Sequence, residues 1–308
     1  MNYVFCKPII LGELDAIRIE HPLFNTTLLL QGAQLIEFCP ISNQFNNLLW
    51  LSDTAEYKHG QSIRGGIPIC WPWFGSLDKN PDAIQQQVSN PDSASAHGFA
   101  RNLDWKINSI HEDCHFVQID LELRDNSESK KLWPFEFNLI ARFTFSETLE
   151  VELITTNLDK KEMMISQAMH TYLPTTDITQ TYIYQSKNTF KTDTFYIDAM
   201  DNWKEKKKIG RVAFNKETDR LYFFSNKNQQ DHYQLRVESP NQQIMIKNEN
   251  SNSAVIWNPW INKSLRLSQF KADDYKTMFC IETANVMQDS KILAHQEQHH
   301  LKLTLSTL

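Results

Sequence analysis

Glu282 is the most unusual residue in this sequence. It interrupts Met278-Phe279-Cys280-Ile281-Glu282-Thr283-Ala284-Asn285-Val286, a run that otherwise reads as an apolar strand. Burying an ionised carboxylate is costly unless it is paired, and burial raises its pKa toward the range useful to a general base. His170 ends a similar run, Met163-Met164-Ile165 followed by Met169-His170-Thr171-Tyr172-Leu173. A buried neutral imidazole there must find a hydrogen-bond partner or exchange a proton. Two further segments combine glycine with cations. Ile63 to Gly75 holds three of the eight glycines, together with Arg64, Trp71, Trp73 and Phe74. Paired glycines let backbone approach a ligand, a guanidinium fork suits phosphate or carboxylate, and Trp73 with its aromatic neighbours offers a platform for the apolar face of a sugar. Ala96-His97-Gly98-Phe99-Ala100-Arg101 repeats the pattern. Each feature also has a plain structural counterpart. Glu282 fits a salt bridge, His170 and His97 fit hydrogen-bonded core histidines, and the first glycine segment fits a tight turn with Arg64 in an ion pair. Taken singly, these residues leave both readings open.

The elements that must position them are strands. Val117, Ile119, Leu121 and Leu123 alternate with Gln118, Asp120, Glu122 and Arg124, and the period continues through Phe135, Phe137, Leu139, Ala141, Phe143 and Phe145. Leu149, Val151 and Leu153 follow, and Leu301, Leu303 and Leu305 come near the end. Period two puts one set of side chains on one face of a sheet. Arg124-Asp125-Asn126-Ser127 and Asn226-Lys227-Asn228 read as turns or surface loops. Helical periodicity of any length is missing. The expected class is all-β, with antiparallel strands in a sandwich or barrel. The polar stretch Asp78 to Ala96 separates two motif-dense segments that should meet in space, so it reads as a surface loop, and residues 1–308 read as a single domain.

Composition narrows the function. The formal net charge is −6 and no basic block exceeds Lys206–Lys208, which argues against a nucleic-acid or anionic-membrane surface. Cys6, Cys39, Cys70, Cys114 and Cys280 are odd in number, scattered and without a Cys-x-x-Cys, so neither a disulfide framework nor a thiolate metal site is expected. His299-His300 has no accompanying ligand motif. Phosphate-binding loop, dinucleotide and nucleophile-elbow signatures are missing, so no metal or cofactor is expected. Neither a signal peptide nor a membrane-spanning run is read, and a cytoplasmic protein, monomeric or weakly dimeric, is expected.

Taken in order, the segments resemble the hexose-6-phosphate mutarotase branch of the aldose 1-epimerase family. The matching pieces are Arg64-Gly65-Gly66-Ile67-Pro68 with Trp71-Pro72-Trp73-Phe74-Gly75, His97-Gly98-Phe99-Ala100-Arg101, His170-Thr171-Tyr172-Leu173 and Thr218-Asp219-Arg220-Leu221-Tyr222. Val255-Ile256-Trp257-Asn258-Pro259-Trp260 and Cys280-Ile281-Glu282-Thr283-Ala284 complete the set. The resemblance implies a galactose-mutarotase-like β-supersandwich. It implies a catalytic histidine at His170 and a catalytic carboxylate at Glu282. It further implies that Arg64 and Arg101 hold a sugar phosphate and that Asp219 meets a sugar hydroxyl, with His97 in the substrate site. Two positions depart from the family pattern. Ala96 stands where a glutamine is common, and Ser268-Gln269 stands where an acidic residue is often found.

The implied reaction is exchange of α and β anomers of an aldohexose 6-phosphate, glucose 6-phosphate foremost. The hemiacetal opens, the C1–C2 bond rotates, and the ring closes on the other carbonyl face. Glu282 is expected to take the C1-hydroxyl proton while protonated His170 supplies one to the ring oxygen. A mutarotase of free aldoses and a non-catalytic sugar-binding protein on the same fold are the alternatives. The acid–base pair speaks against the binder, and the two arginines speak against the neutral substrate.

Overall fold

The computed structural model describes residues 3–42, 47–185, 193–207, 210–225 and 232–308. Among these, strands form a four-stranded, a two-stranded, a seven-stranded and a nine-stranded sheet, and every ladder between named strands is antiparallel.

The nine-stranded sheet is where the period-two pattern lies. Phe137–Phe145 alternates strictly between buried and half-buried positions, as the sequence predicts. Its neighbours Val117–Arg124 and Leu149–Asn157, and Gln298–Thr307 beyond the latter, turn Leu121, Leu153 and Leu303 to the same core. Asp120 is the exception on its polar face, since it is buried and grips Arg142 through two 2.9 Å bonds.

The seven-stranded sheet runs in the order Lys204–Lys207, Asp193–Asp198, Thr218–Ser225, Ser253–Asn258, Met278–Asn285, Gln167–Pro174 and Ile69–Cys70. Its central strands are buried on both faces, and every residue of Met278–Asn285 is inaccessible. One face, with Met169, Tyr222, Ile256 and Ile281, joins the apolar cluster that also contains Leu121, Leu153 and Leu303. The opposite face carries His170, Glu282, Val255 and Leu221 in one row across four strands, fixed by the pairings His170 with Glu282, Glu282 with Val255, and Val255 with Leu221. The adjacent row is Tyr172, Cys280, Trp257 and Asp219. Side chains opposed across antiparallel strands on one face stand roughly 5 Å apart at Cβ. Strand register alone therefore brings His170 to Glu282 across a sequence separation of 112 residues.

Two polar stretches are more ordered than turns. Asn126 caps a short helix, Ser127–Leu132, accepting from the backbone N–H groups of Glu128 and Ser129 while Ser129 Oγ accepts from Asn126 N–H. Asp78 to Ala96 carries short helical turns and is pinned by buried Ile84 and Val88. The turn read at Asn226-Lys227-Asn228 lies outside the described residues. No described helix is long and apolar enough to cross a membrane.

Candidate active site

His170 and Glu282 project from neighbouring strands of the seven-stranded sheet, 9% and 1% exposed, with His170 Nε2 3.4 Å from Glu282 Oε1. The imidazole is held in an aromatic column. Tyr172, two residues along the same face, stacks on it at 4.8 Å and 13°, and Trp50 stacks beyond Tyr172 at 5.9 Å. Trp257 meets the imidazole edge-on at 6.1 Å. His170 Nδ1 and Glu282 Oε2 are both buried without a hydrogen-bond partner. Unpaired polar atoms of this kind in a native interior call for an explanation, and a ligand supplies one.

Burial dominates the electrostatics of the pair. It pushes the His170 pKa down to about 3, and the Arg64 and Arg101 charges add to the effect. Burial lifts the Glu282 carboxyl well above its ordinary range, assisted by Asp219 and opposed by Arg101. The separation is that of an ion pair, yet both shifts favour the neutral forms, and in so dry a site we take desolvation as the larger effect. Both directions favour a neutral imidazole beside a protonated carboxyl over an imidazolium–carboxylate pair.

Two loops complete the site. The segment around Arg64 runs beside Gln167–Pro174, with Tyr172 N–H donating to Gly66 O and His170 N–H to Pro68 O. Arg64 Nη1 donates to Tyr172 Oη at 3.2 Å. The second loop is locked by Gly98, where a Cβ would stand 1.9 Å from Trp71 O at φ +69°. Phe99 N–H donates to the same Trp71 O, and His97 N–H donates to Gly75 O. Gly75 N–H donates to His97 Nδ1 at 3.2 Å, which leaves the ring proton on Nε2. Burial, with Arg101 and His170 nearby, holds His97 neutral. Arg101 Nη2 donates to Ala96 O, and its Nε is buried without a partner.

Two cavities meet at His170. One, about 360 Å³, is lined by His170, Glu282, Asp219 and Trp257 and by apolar side chains such as Leu221 and Val255. The other, about 480 Å³, is polar and lined by Arg101, Asn102, Ser62 and Gln269. Arg64, His97, His170 and Tyr172 form a wall common to both. Asp219 lies in the first cavity with its pKa raised by burial, and Lys263 Nζ stands 3.8 Å away. Ala96 lines the first cavity and Ser268 the second, so both departures from the family pattern fall on the site. Gln269 is fixed there, accepting from Glu56 N–H and donating to Ser62 O.

Trp73 is a correction. The side chain expected beneath a sugar is 0% exposed, donates Nε1–H to Ser95 O, and packs among Phe99 and Trp133. Its ring is core because the loop closes over it. Phe74, Trp257 and Trp203 supply the aromatic lining instead. Lys263, Tyr172 and Asn102 also line the site without having been singled out from sequence. Only the strand register, which puts Tyr172 two residues beyond His170, would have pointed to one of them. Cys70 and Cys280 lie below the site, and burial raises both thiols, so neither is a nucleophile. Among the described residues no group of histidine, cysteine or carboxylate side chains is arranged to hold a metal ion.

Comparison with known proteins bears on family and fold. A protein of Escherichia coli K12 provisionally named glucose-6-phosphate 1-epimerase is 34% identical over 290 residues, covering 94% of this chain and 89% of its own. The crystal structure of a provisionally assigned mutarotase from Salmonella typhimurium superposes with a TM-score of 0.84 at 28% identity, covering 100% of this chain and 95% of that one. Galactose 1-epimerase from Lactobacillus acidophilus shares the fold at a TM-score of 0.66 and 15% identity, over 97% and 96% of the two chains. The fold is galactose-mutarotase-like. The aldose 1-epimerase family model matches residues 15–306, and the chain belongs to that family.

Proposed function

We propose that the protein interconverts the α and β anomers of an aldohexose 6-phosphate, with the phosphate in the polar cavity beside Arg64 and Arg101 and the ring in the cavity lined by Asp219 and Trp257. The observation that carries this reading is the position of the His170–Glu282 pair. His170 lines both a cavity with two guanidinium groups and one with apolar walls, and Glu282 and Asp219 line the second of these. A guanidinium binds phosphate through parallel charge-assisted bonds, and the unpartnered Arg101 Nε offers one such donor.

The chemistry circulates one proton. Burial is the main cause that keeps His170 neutral, with the guanidinium charges adding to it. A bound phosphate offsets only the latter, and the carboxyl proton crosses the 3.4 Å gap to Nε2 as the substrate's hydroxyl engages Glu282. Glu282 then takes the C1-hydroxyl proton while His170 protonates the ring oxygen. The C1–O5 bond breaks as the C1 carbonyl forms. Rotation about C1–C2 presents the other carbonyl face, and the two groups reverse roles on closure. Atoms and charge balance within the site. Exchange NMR on glucose 6-phosphate against glucose tests the proposal. Exchange above the buffer rate, faster for the phosphate ester, is the expected result, and exchange at the buffer rate refutes it.

A further inference from the structure

The ring expected to cover a bound sugar, Trp73, is in the core, which leaves open what closes the cavity above its sheet floor. Trp203 lines that cavity but does not come from the floor strands. It follows the short helical turn Ala199–Asp201, between the paired strands Asp193–Asp198 and Lys204–Lys207, the latter at the sheet edge. The root of this turn is tied down at Asp198. Its Oδ1 accepts from Met200 N–H, and its Oδ2 lies 3.2 Å from Lys206 Nζ and 3.4 Å from Arg220 Nε. Because Asp198 pairs with Arg220, the turn emerges next to Asp219.

The backbone there is unusual. Asn202 has φ +51° and Trp203 has φ +57°, two successive left-handed residues with neither of them glycine. Asparagine tolerates that conformation, but a bulky aromatic residue is an outlier in it. Trp203 stays 39% exposed, so the core does not claim the indole, yet it forms cavity wall beside Asp219 and Leu221. An outlier that is held in place without joining the core supports a hypothesis of function.

Resting on the mutarotase reading, we propose that Trp203 is the ring-binding wall of the sugar cavity, its indole covering the C–H face of the bound pyranose. A large rigid aromatic surface favours a C–H-rich ring over water, while the hydroxyls at the ring edge remain free for Asp219. Such a contact holds substrate and transition state alike, because the ring face is far from the atoms that exchange protons. It therefore acts on KM and leaves kcat alone.

The test compares wild type with Trp203→Ala and Trp203→Phe by anomer-exchange NMR on glucose 6-phosphate and on glucose. In the Ala variant KM should rise about tenfold on both sugars, with kcat within about twofold, and Phe should restore KM to within about threefold. Equal factors on both sugars mark a ring contact, since loss of the phosphate anchor would affect only the ester. An unchanged KM in the Ala variant, a loss confined to kcat, or a loss confined to the ester overturns the proposal. Should the wild type fail to exchange anomers, the mutarotase reading fails first, and calorimetric titration with glucose 6-phosphate still tests the contact. Binding about tenfold weaker in the Ala variant supports it, whereas equal affinity, or no binding by the wild type, overturns it.

Discussion

At the scale of single residues, the site depends on groups whose burial makes them reactive. Glu282 lacks a second hydrogen-bond partner and His170 leaves Nδ1 bare, so each is unfavourable for the fold in proportion to its use in proton transfer. Glu282→Gln and His170→Asn preserve shape and remove titration. Each should lower kcat by roughly 10²- to 10⁴-fold, and the double variant should lose little more than the worse single one, since the two act as a unit. Turnover near wild type in either variant would remove that residue from the reaction. The arginines act differently. Arg101→Ala removes a charge from a partly desolvated cavity, which should weaken an anion by about 2–5 kcal/mol while leaving glucose almost unaffected. Competition by inorganic phosphate should fall in parallel. Equal losses on both substrates would mean that Arg101 supports the loop, which its bond to Ala96 O already does in part, and not the phosphate.

At the scale of elements, two strands and one loop contact decide the geometry. The loop contact is the approach of Gly98 to Trp71, and Gly98→Ala should lower stability by roughly 2–4 kcal/mol through steric displacement and left-handed strain. Exchange activity should be lost with it, because His97 and Arg101 flank the glycine. Gly60→Ala is the control in thermal unfolding. Its φ is also positive, but nothing lies within 4 Å of the added Cβ, so its cost should be about 1 kcal/mol. Equal costs would mean that conformation, and not the close approach, fixes this loop. The nine-stranded sheet was legible in the sequence because one of its faces meets water, so the pattern alternates, as in Phe137–Phe145. Met278–Asn285 is buried on both faces and shows no alternation. The glutamate in it was conspicuous for that reason, but the side it faces was not readable. Trp73 and Trp257 are alike in composition, and only tertiary closure sends one to the core and the other to the cavity. The helix after Asn126 was missed because Ser129, and not a glutamate, completes its capping box.

At the scale of the whole molecule, the site should leave its mark on the pH dependence of stability. His170 and His97 have folded-state pKa values below the usual 6.5, His170 at about 3. Between the folded value and 6.5 the unfolded chain binds protons that the native one does not, so stability rises with pH across that window. Glu282 works in the opposite sense. Its folded-state pKa lies well above 4.5, so the native chain keeps a proton that the unfolded chain has released, and stability falls as pH rises past 4.5 until the native group ionises. Each group contributes a slope of at most roughly 1.4 kcal/mol per pH unit. From 4.5 to 6.5 the two histidines and the carboxylate therefore work in opposite senses, the histidines raising stability with pH and the carboxylate lowering it. Differences between variants isolate these contributions from the surface carboxylates. Relative to wild type, Glu282→Gln should gain in melting temperature as pH rises from 5 to 8, by a few degrees for a gain of roughly 1–2 kcal/mol, while losing exchange activity. His170→Asn should flatten the acid side, gaining on wild type as pH falls from 6.5 toward 4. A melting-temperature difference between wild type and Glu282→Gln that does not change with pH would mean that the carboxyl titrates normally in the fold. The shared-proton mechanism would then lose its acid–base pair, whatever the activity of the variants.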